Sequence, residues 1–421
     1  MRAMKDSGVD WIGDIPIQWQ LVPTKRVFKG KKQIAGANSE MYERLALTMN
    51  GVVKRNKDDN EGLQPEQFDS YQILESNELV FKLIDLQNIR TSRVGLSPYT
   101  GIVSPAYIIL TNTKSDNRFY YYWYFDMYNR CVFNRMGGDG VRSALNLKDV
   151  LEIPIPMISD AEQQRIAEFL DRKCAEVDEM IALQEQIIEE LKAYQQSVIT
   201  EAVTKGLNPA APMRDSGIEW IGQIPEHWEV EQFRRLFDIK KIIANELGYD
   251  VLSVTQGGLK VKDISTNEGQ MAQDYSKYQL VGIDDYVMNH MDLLTGFVDC
   301  SKQIGVTSPD YRVFKAKHKS DISLPFFLRI FQTCYKLRIF YHLGQGVAGM
   351  GRWRLPAEQL KLFLLPIPPL AEQQAIADYL DEKCADIDSL IQTKQSKIDS
   401  LKEYKKSIIY EYVTGKKEVN E

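Results

Sequence analysis

The chain repeats itself, and no other feature restricts its fold as much. Residues 4–19, MKDSGVDWIGDIPIQW, return at 213–228 as MRDSGIEWIGQIPEHW. Residues 161–181, AEQQRIAEFLDRKCAEVDEMI, return at 371–391 as AEQQAIADYLDEKCADIDSLI. Weaker echoes join the stretches between: YERLALTMNG (42–51) with YDVLSVTQGG (249–258), and GIVSPAY (101–107) with GVTSPDY (305–311). The order is colinear throughout. The chain is therefore two half-length copies in tandem, each with well-matched ends and a diverged middle. A stacked solenoid is excluded, because such arrays use three or more short units. Half of 421 residues is enough for each copy to bury its own core.

Each copy divides again. Residues 20–157 and 229–369 mix short β-rich runs with Gly, Asn, Asp and Pro turns, which predicts an α+β globule. Residues 160–205 and 370–414 hold no proline and no glycine, and predict single long helices. Ser159 and Glu162 have capping-box spacing at the first helix start. Gly206 and Pro209 stop that helix, and Gly415 stops the second.

Alternating steps of four and three mark an apolar seam on each helix. On the first it runs through Leu170, Cys174, Val177, Ile181, Gln184, Ile188, Leu191, Gln195, Val198 and Ala202. On the second it runs through Leu380, Cys384, Ile387, Ile391, Lys394, Ile398, Leu401, Lys405, Ile408 and Tyr412. A seam this long points to coiled-coil packing, with ordinary bundle helices inside one globule as the alternative. The expected fold is α+β: two globules in tandem, separated and joined by two long antiparallel coiled-coil helices with pseudo-two-fold symmetry. The expected boundaries are 1–157, 158–212, 213–369 and 370–421. Setting the polar breaks against each other places Gln184 opposite Lys405 and Gln195 opposite Lys394. Ile188 then faces Leu401, Leu191 faces Ile398, and Val198 faces Ile391. Cys174 and Cys384 are small seam residues that this arrangement keeps far apart.

Net charge is −6, which at first argues against a nucleic-acid partner. The acid is concentrated in two segments, residues 160–205 and 370–417, which carry −6 and −1 and leave +1 on the remainder. Charge therefore does not exclude DNA. Five cysteines without a C-x-x-C and four histidines without metal-ligand spacing exclude a disulfide scaffold and argue against a zinc site. No apolar run approaches the ~20 residues of a membrane span, and no signal peptide opens the chain, so a cytoplasmic protein is expected.

An enzyme is the rival reading. Gly344-Gln-Gly346-Val-Ala-Gly349 matches G-x-G-x-x-G, a pattern of nucleotide or S-adenosylmethionine loops. Arg352, Trp353, Arg354 and Pro356 follow at once, and the first copy, Gly138-Asp-Gly140-Val-Arg-Ser143, lacks the third glycine. A turn is the favoured reading. No P-loop, H-E-x-x-H, Gly-x-Ser-x-Gly or Asn/Asp-Pro-Pro-aromatic run is present.

Two diverged globules, each trailed by a helix after P-I-P and A-E-Q-Q-x-I-A, resemble the specificity subunit of type I restriction–modification enzymes. The residues carrying this are Pro154, Ile155, Pro156, Ala161, Glu162, Gln163, Gln164, Ile166 and Ala167, repeated as Pro366, Ile367, Pro368, Ala371, Glu372, Gln373, Gln374, Ile376 and Ala377. The Trp-Ile-Gly-x-Ile-Pro-x-x-Trp runs at 11–19 and 220–228 are also typical of that family. The resemblance implies two target recognition domains, each reading one half of a split site in double-stranded DNA. It implies helices that act as a spacer and dock two methyltransferase subunits, with motor-nuclease restriction subunits as further partners. S-adenosylmethionine, ATP and Mg would reside on those partners, and this chain would carry no cofactor, no metal and no catalysis. One heptad added to both helices would then widen the recognised spacer by a few base pairs.

Candidate DNA contacts are clustered cations, since Lys and Arg grip phosphates and Arg reads guanine. In the first globule they are Lys29, Lys31, Lys32, Lys54, Arg55, Lys57, Arg90, Arg93 and Arg142. In the second they are Lys240, Lys241, Lys260, Lys262, Arg312, Lys315, Lys317, Arg352 and Arg354. Ser104 with Tyr107 and Ser308 with Tyr311 are either turn and core residues or a hydroxyl pair facing DNA. The run Phe119–Phe125 reads as a buried helix rather than a base-stacking platform.

Overall fold

The structure is a computed structural model and describes residues 2–49, 51–56, 68–84, 86, 93–114, 116–136, 144–263, 274–346 and 353–419. The chain forms two compact units, residues 1–185 with 395–421, and residues 186–394. Each unit holds one globule and half of each long helix, so the units cut across the helices rather than separating them from the globules.

In the first unit the opening motif is a hairpin, Met4–Asp6 paired antiparallel with Asp14–Pro16. Gly8 and Gly13 take φ of 71° and 69° in its turn, where an L side chain would be strained. The hairpin buries Ile12, Ile15 and Trp19. The P-I-P run is a strand, Pro154–Met157, that closes the globule against Gln20–Pro23. Both prolines are tolerable because this ribbon has only two strands, so neither sits inside a wider ladder.

Between these ends lies an antiparallel sheet of β1 (Lys29–Lys31), β2 (Leu79–Lys82), β3 (Arg93–Leu96) and β4 (Ile108–Thr111), in the order β1-β4-β2-β3. Helix α1 (Arg118–Asn129) carries the aromatic run and buries Phe119, Tyr120, Trp123 and Tyr124. Tyr124 meets Phe81 edge-on at 5.0 Å and Tyr120 meets Phe28 at 5.2 Å, so the run is core, as expected. Helix α2 (Asp160–Lys205) follows. The Ser159 hydroxyl accepts from the Glu162 N–H at 3.3 Å, as a cap should. The Glu162 carboxylate completes no capping box; it binds Arg2 and the Trp19 indole N–H.

The second unit repeats this plan. Met213–Asp215 pairs with Gln223–Pro225, and Leu364–Ile367 closes on Glu229–Gln232. Its sheet is β5 (Phe237–Lys240), β6 (Tyr286–Met288), β7 (Val298–Cys300) and β8 (Arg312–Ala316), in the matching order β5-β8-β6-β7. Helix α3 (Leu324–Lys336) buries Phe326, Phe327 and Phe331 beside Phe237, Tyr286 and Phe314. Aromatic bulk is kept while hydroxyls are lost, as a core position allows. Helix α4 (Leu370–Val413) follows.

Within each unit the helix halves run antiparallel. In the first, Phe169 lies 4.3 Å from Tyr412 between ring centroids, and Lys405 donates to Asp178 at 2.7 Å. In the second, the Gln195 amide donates to Asp388 at 2.9 Å, and Gly206 lies against Glu372. Leu170, Val177, Ile188, Leu380, Ile387, Ile398 and Ile408 are buried. Ile181, Leu191, Val198, Ile391 and Leu401 are half-buried, so the apolar seam holds.

The register corrects the sequence expectation by one heptad. Lys405 reaches Asp178 rather than Gln184, and Gln195 meets Asp388 rather than Lys394. The cause is burial at the helix ends. Ile408, Ile409 and Val413 join Ile12, Ile15, Trp19 and Leu170 in the first core, while Ile199, Ala202 and Val203 join Ile224, Trp228 and Leu380 in the second. Those apolar anchors outweigh matching of polar layers, because Lys405 can extend to a carboxylate at the seam margin. Cys174 and Cys384 fall in different cores, and the five cysteines are free. Among the described residues no helix is long and apolar enough to cross a membrane.

Candidate nucleic-acid interface

The two sheets end in the same construction, and it is built around a glutamine that the sequence analysis did not single out. Gln72 and Gln279 are each 1% exposed, on short strands paired with Gly101–Val103 and Gly305–Thr307. The Gln72 amide donates to the carbonyls of Ser104 at 3.0 Å and Tyr107 at 2.6 Å. The Gln279 amide donates to those of Ser308 and Tyr311, both at 2.7 Å. The serine hydroxyls cap the turns, accepting from the N–H of Ala106 and of Asp310 at 3.3 Å. Tyr107 and Tyr311 pack against the cores. The Ser-Pro-x-Tyr residues are thus a clamped turn that delivers the chain into β4 and β8. The signal for the clamp was present as Tyr71-Gln72-Ile73-Leu74 against Tyr278-Gln279-Leu280-Val281.

The first matched lysine pair has an internal role. Lys31 bonds Glu78 at 3.0 Å and Glu75 at 3.2 Å. Lys240 is ion-paired with Asp285. Glu78 and Asp285 are buried and also accept backbone N–H groups, from Glu75 and Gly282 respectively. Each lysine therefore neutralises a buried carboxylate that shapes a turn, which accounts for its recurrence without DNA. Arg312 is likewise withdrawn from the surface. It is 8% exposed and donates from Nη1 to the Leu355 carbonyl at 3.0 Å. Burial lowers its pKa to about 10.

Other candidates remain at the surface. Lys29 and Lys32 are exposed on and just after β1, and Lys241 is exposed just after β5. Lys54 ends the hairpin Leu45–Thr48/Gly51–Lys54, 3.4 Å from Glu43 and 5.2 Å over the Tyr99 ring. Lys260 is exposed on the matching hairpin Leu252–Thr255/Gly258–Val261. Arg55 and Lys262 leave these hairpins half-buried, each with its N–H bonded at 2.8 Å, to Arg44 and Val251. The backbone of Arg93 begins β3 opposite Lys82, and its side chain lies outside the described part of the structure. Lys315 is exposed opposite Asp238, and Lys317 pairs with Asp238 at 3.4 Å. Arg354 is exposed and bridges to Gln345 through its backbone. Lys57, Arg90, Arg142 and Arg352 lie outside the described residues.

The glycine motif has the wrong surroundings for a cofactor loop. A helix, Ile339–His342, precedes Gly344 where a dinucleotide fingerprint requires a strand. A Cβ on Gly344 would stand 2.3 Å from the Trp353 indole, so this glycine makes room for a tryptophan. Val347 to Arg352 lie outside the described residues.

Comparison with known proteins adds three findings. A family model described as the type I restriction modification DNA specificity domain matches residues 24–193 and again 225–403. The Escherichia coli type I restriction enzyme EcoBI specificity subunit is 26% identical over 262 residues, covering 59% of this chain and 54% of that protein. The putative MjaX specificity subunit of Methanocaldococcus jannaschii is 25% identical over 217 residues, covering 46% and 47%. The matches thus span about half the length of these curated relatives. A chain solved in work on complex assembly and conformational transition of the type I R-M system superposes with a TM-score of 0.66 at 12% identity, covering 95% of this chain and 98% of that one. The HsdS subunit from Thermoanaerobacter tengcongensis gives 0.50 at 14%, with the same coverage. At these identities the likeness is one of fold.

Proposed function

Because this chain belongs to the type I restriction–modification DNA specificity family, we propose that it selects the DNA target of such a system. Each unit reads one half of a bipartite duplex site. The two long helices dock two methyltransferase subunits, and restriction subunits join that core. Methyl transfer to adenine and any ATP-driven step belong to those partners, which hold S-adenosylmethionine, ATP and Mg; this chain is non-catalytic.

The observation that carries the reading is that two copies of one scaffold differ where their sheets end. Backbone pairing matches Met288–Arg312 to Phe81–Ile108, and the N–H of Leu355 on His290 to the N–H of Leu145 on Leu83. The surroundings are alike, while cationic and aromatic-nitrogen groups in one unit replace aliphatic ones in the other. Such substitution on a preserved frame is what two readers of different sequences need. Methylome sequencing of cells with and without the gene tests it. One bipartite methyl-adenine motif should vanish on deletion. Methyl transfer by the purified chain with S-adenosylmethionine alone would overturn the non-catalytic assignment.

A further inference from the structure

At one corner of the second sheet three cations gather near a half-buried histidine. Lys240 pairs with Val313, so Lys241 stands level with Arg312 across the sheet. Arg312 pairs in turn with Met288, two residues before His290. Leu355 ties the corner together: its carbonyl accepts from Arg312 Nη1 and its N–H donates to the His290 carbonyl, both at 3.0 Å. That places Arg354 beside them. The His290 Nδ1 is buried and has no hydrogen-bond partner, an expensive state for a polar atom.

The carboxylates on the surrounding elements are engaged elsewhere. Asp285 holds Lys240, Asp238 holds Lys317, and Asp292 accepts from the Leu294 N–H and from Thr295. Among the described residues none lies within ion-pair distance of Lys241, Arg312 or Arg354. Burial, then Arg312, Arg354 and Lys241 in that order, push the His290 pKa down to about 4. The imidazole is therefore neutral at pH 7 and can offer Nδ1–H as a donor.

Cations gathered at one corner without a carboxylate partner create a positive potential that favours an anion. We propose that this corner binds a backbone phosphate of the DNA, gripped by the exposed Lys241 and Arg354, with the largely buried Arg312 adding its charge from behind them. The proposal rests on the DNA-reading function, and it gives the second unit a stronger ionic anchor than the first. There Lys32 stands where Lys241 does, while Ile108, Leu83 and Ala144 replace Arg312, His290 and Arg354.

The test uses the full-length chain and a duplex containing its methylated motif, with affinity measured against salt. Lys241→Gln and Arg354→Gln should each weaken binding about fivefold near 0.15 M salt and reduce the slope of log K on log salt by about one. Lys319→Gln, an exposed change beyond the far end of β8 from Arg312, should do neither. Both substituted residues are exposed, so the result does not hinge on the fold surviving loss of buried Arg312. In parallel, inorganic phosphate should shift the His290 imidazole NMR signals of the wild-type chain and not those of the double variant. Tight duplex binding with unchanged slopes in both variants would overturn the phosphate site and leave the DNA-reading function intact. If the wild-type chain ignored the duplex while phosphate still moved His290, the corner would be a free-anion site and the DNA assignment would fall.

Discussion

Gln279 shows how one side chain supports a whole rim. Its amide satisfies two carbonyls of the Ser308–Tyr311 turn, and its strand pairs with Gly305–Thr307. Gln279→Leu keeps the volume and strands both acceptors in a site that is 1% exposed. A cost of about 2 kcal/mol is expected, since burying an unmet polar group costs ~1–3 kcal/mol. Urea unfolding followed by tryptophan fluorescence reads it, and Gln72→Leu should cost a similar amount in the other unit. A loss under ~0.5 kcal/mol would mean that water replaces the amide. At this scale the candidate interface was only partly legible. Lysines at matched places suggested phosphate contacts, but Lys31 and Lys240 recur because each neutralises a buried acid. A sequence displays a charge and never its partner, so structural and functional lysines look alike.

Among the elements, the long helices were legible in everything but register. Absence of proline and glycine and a steady apolar seam define α2 and α4 from local chemistry, and Ser159 caps α2. Sliding one helix past the other by a heptad preserves the seam, so periodicity cannot choose between registers. The ends choose. Gly415, at φ 70°, sits where an added Cβ would come within 2.5 Å of Pro16, and Gly206, at φ 75°, would come within 3.1 Å of Trp228. Each helix thus stops against an opening motif. The register leaves Gln184 buried at 7% exposure with its Oε1 unbonded. Gln184→Leu should therefore stabilise the chain by about 1 kcal/mol, by relieving an unmet acceptor inside an apolar seam. A clear drop in melting temperature instead would show that Gln184 is held by a hydrogen bond to water.

For the whole molecule, the useful fact is that each unit closes on itself. The opening hairpin, the four-stranded sheet, the P-I-P strand and a helix end share one core in each unit. The diverged middle is bounded by matched ends, so it should be exchangeable. Replacing residues 20–157 with the equivalent stretch of a relative should change one half of the methylated motif and leave the other half and its spacing alone. Methylome sequencing of cells carrying the chimera decides this, and a change in both halves would sink the modular reading.

By itself the sequence determined the tandem copies, the α+β globules, the paired helices and the family, because duplication and periodicity are local and redundant: many residues report each one. Tertiary structure decided the helix register, the inward fate of Lys31, Lys240 and Arg312, and the corner formed by His290 with Arg312, Lys241 and Arg354. These depend on which residues, distant along the chain, share a small volume with little water. Burial is what turns a lysine into a turn clamp and keeps a histidine neutral, and it exists only once the chain has folded.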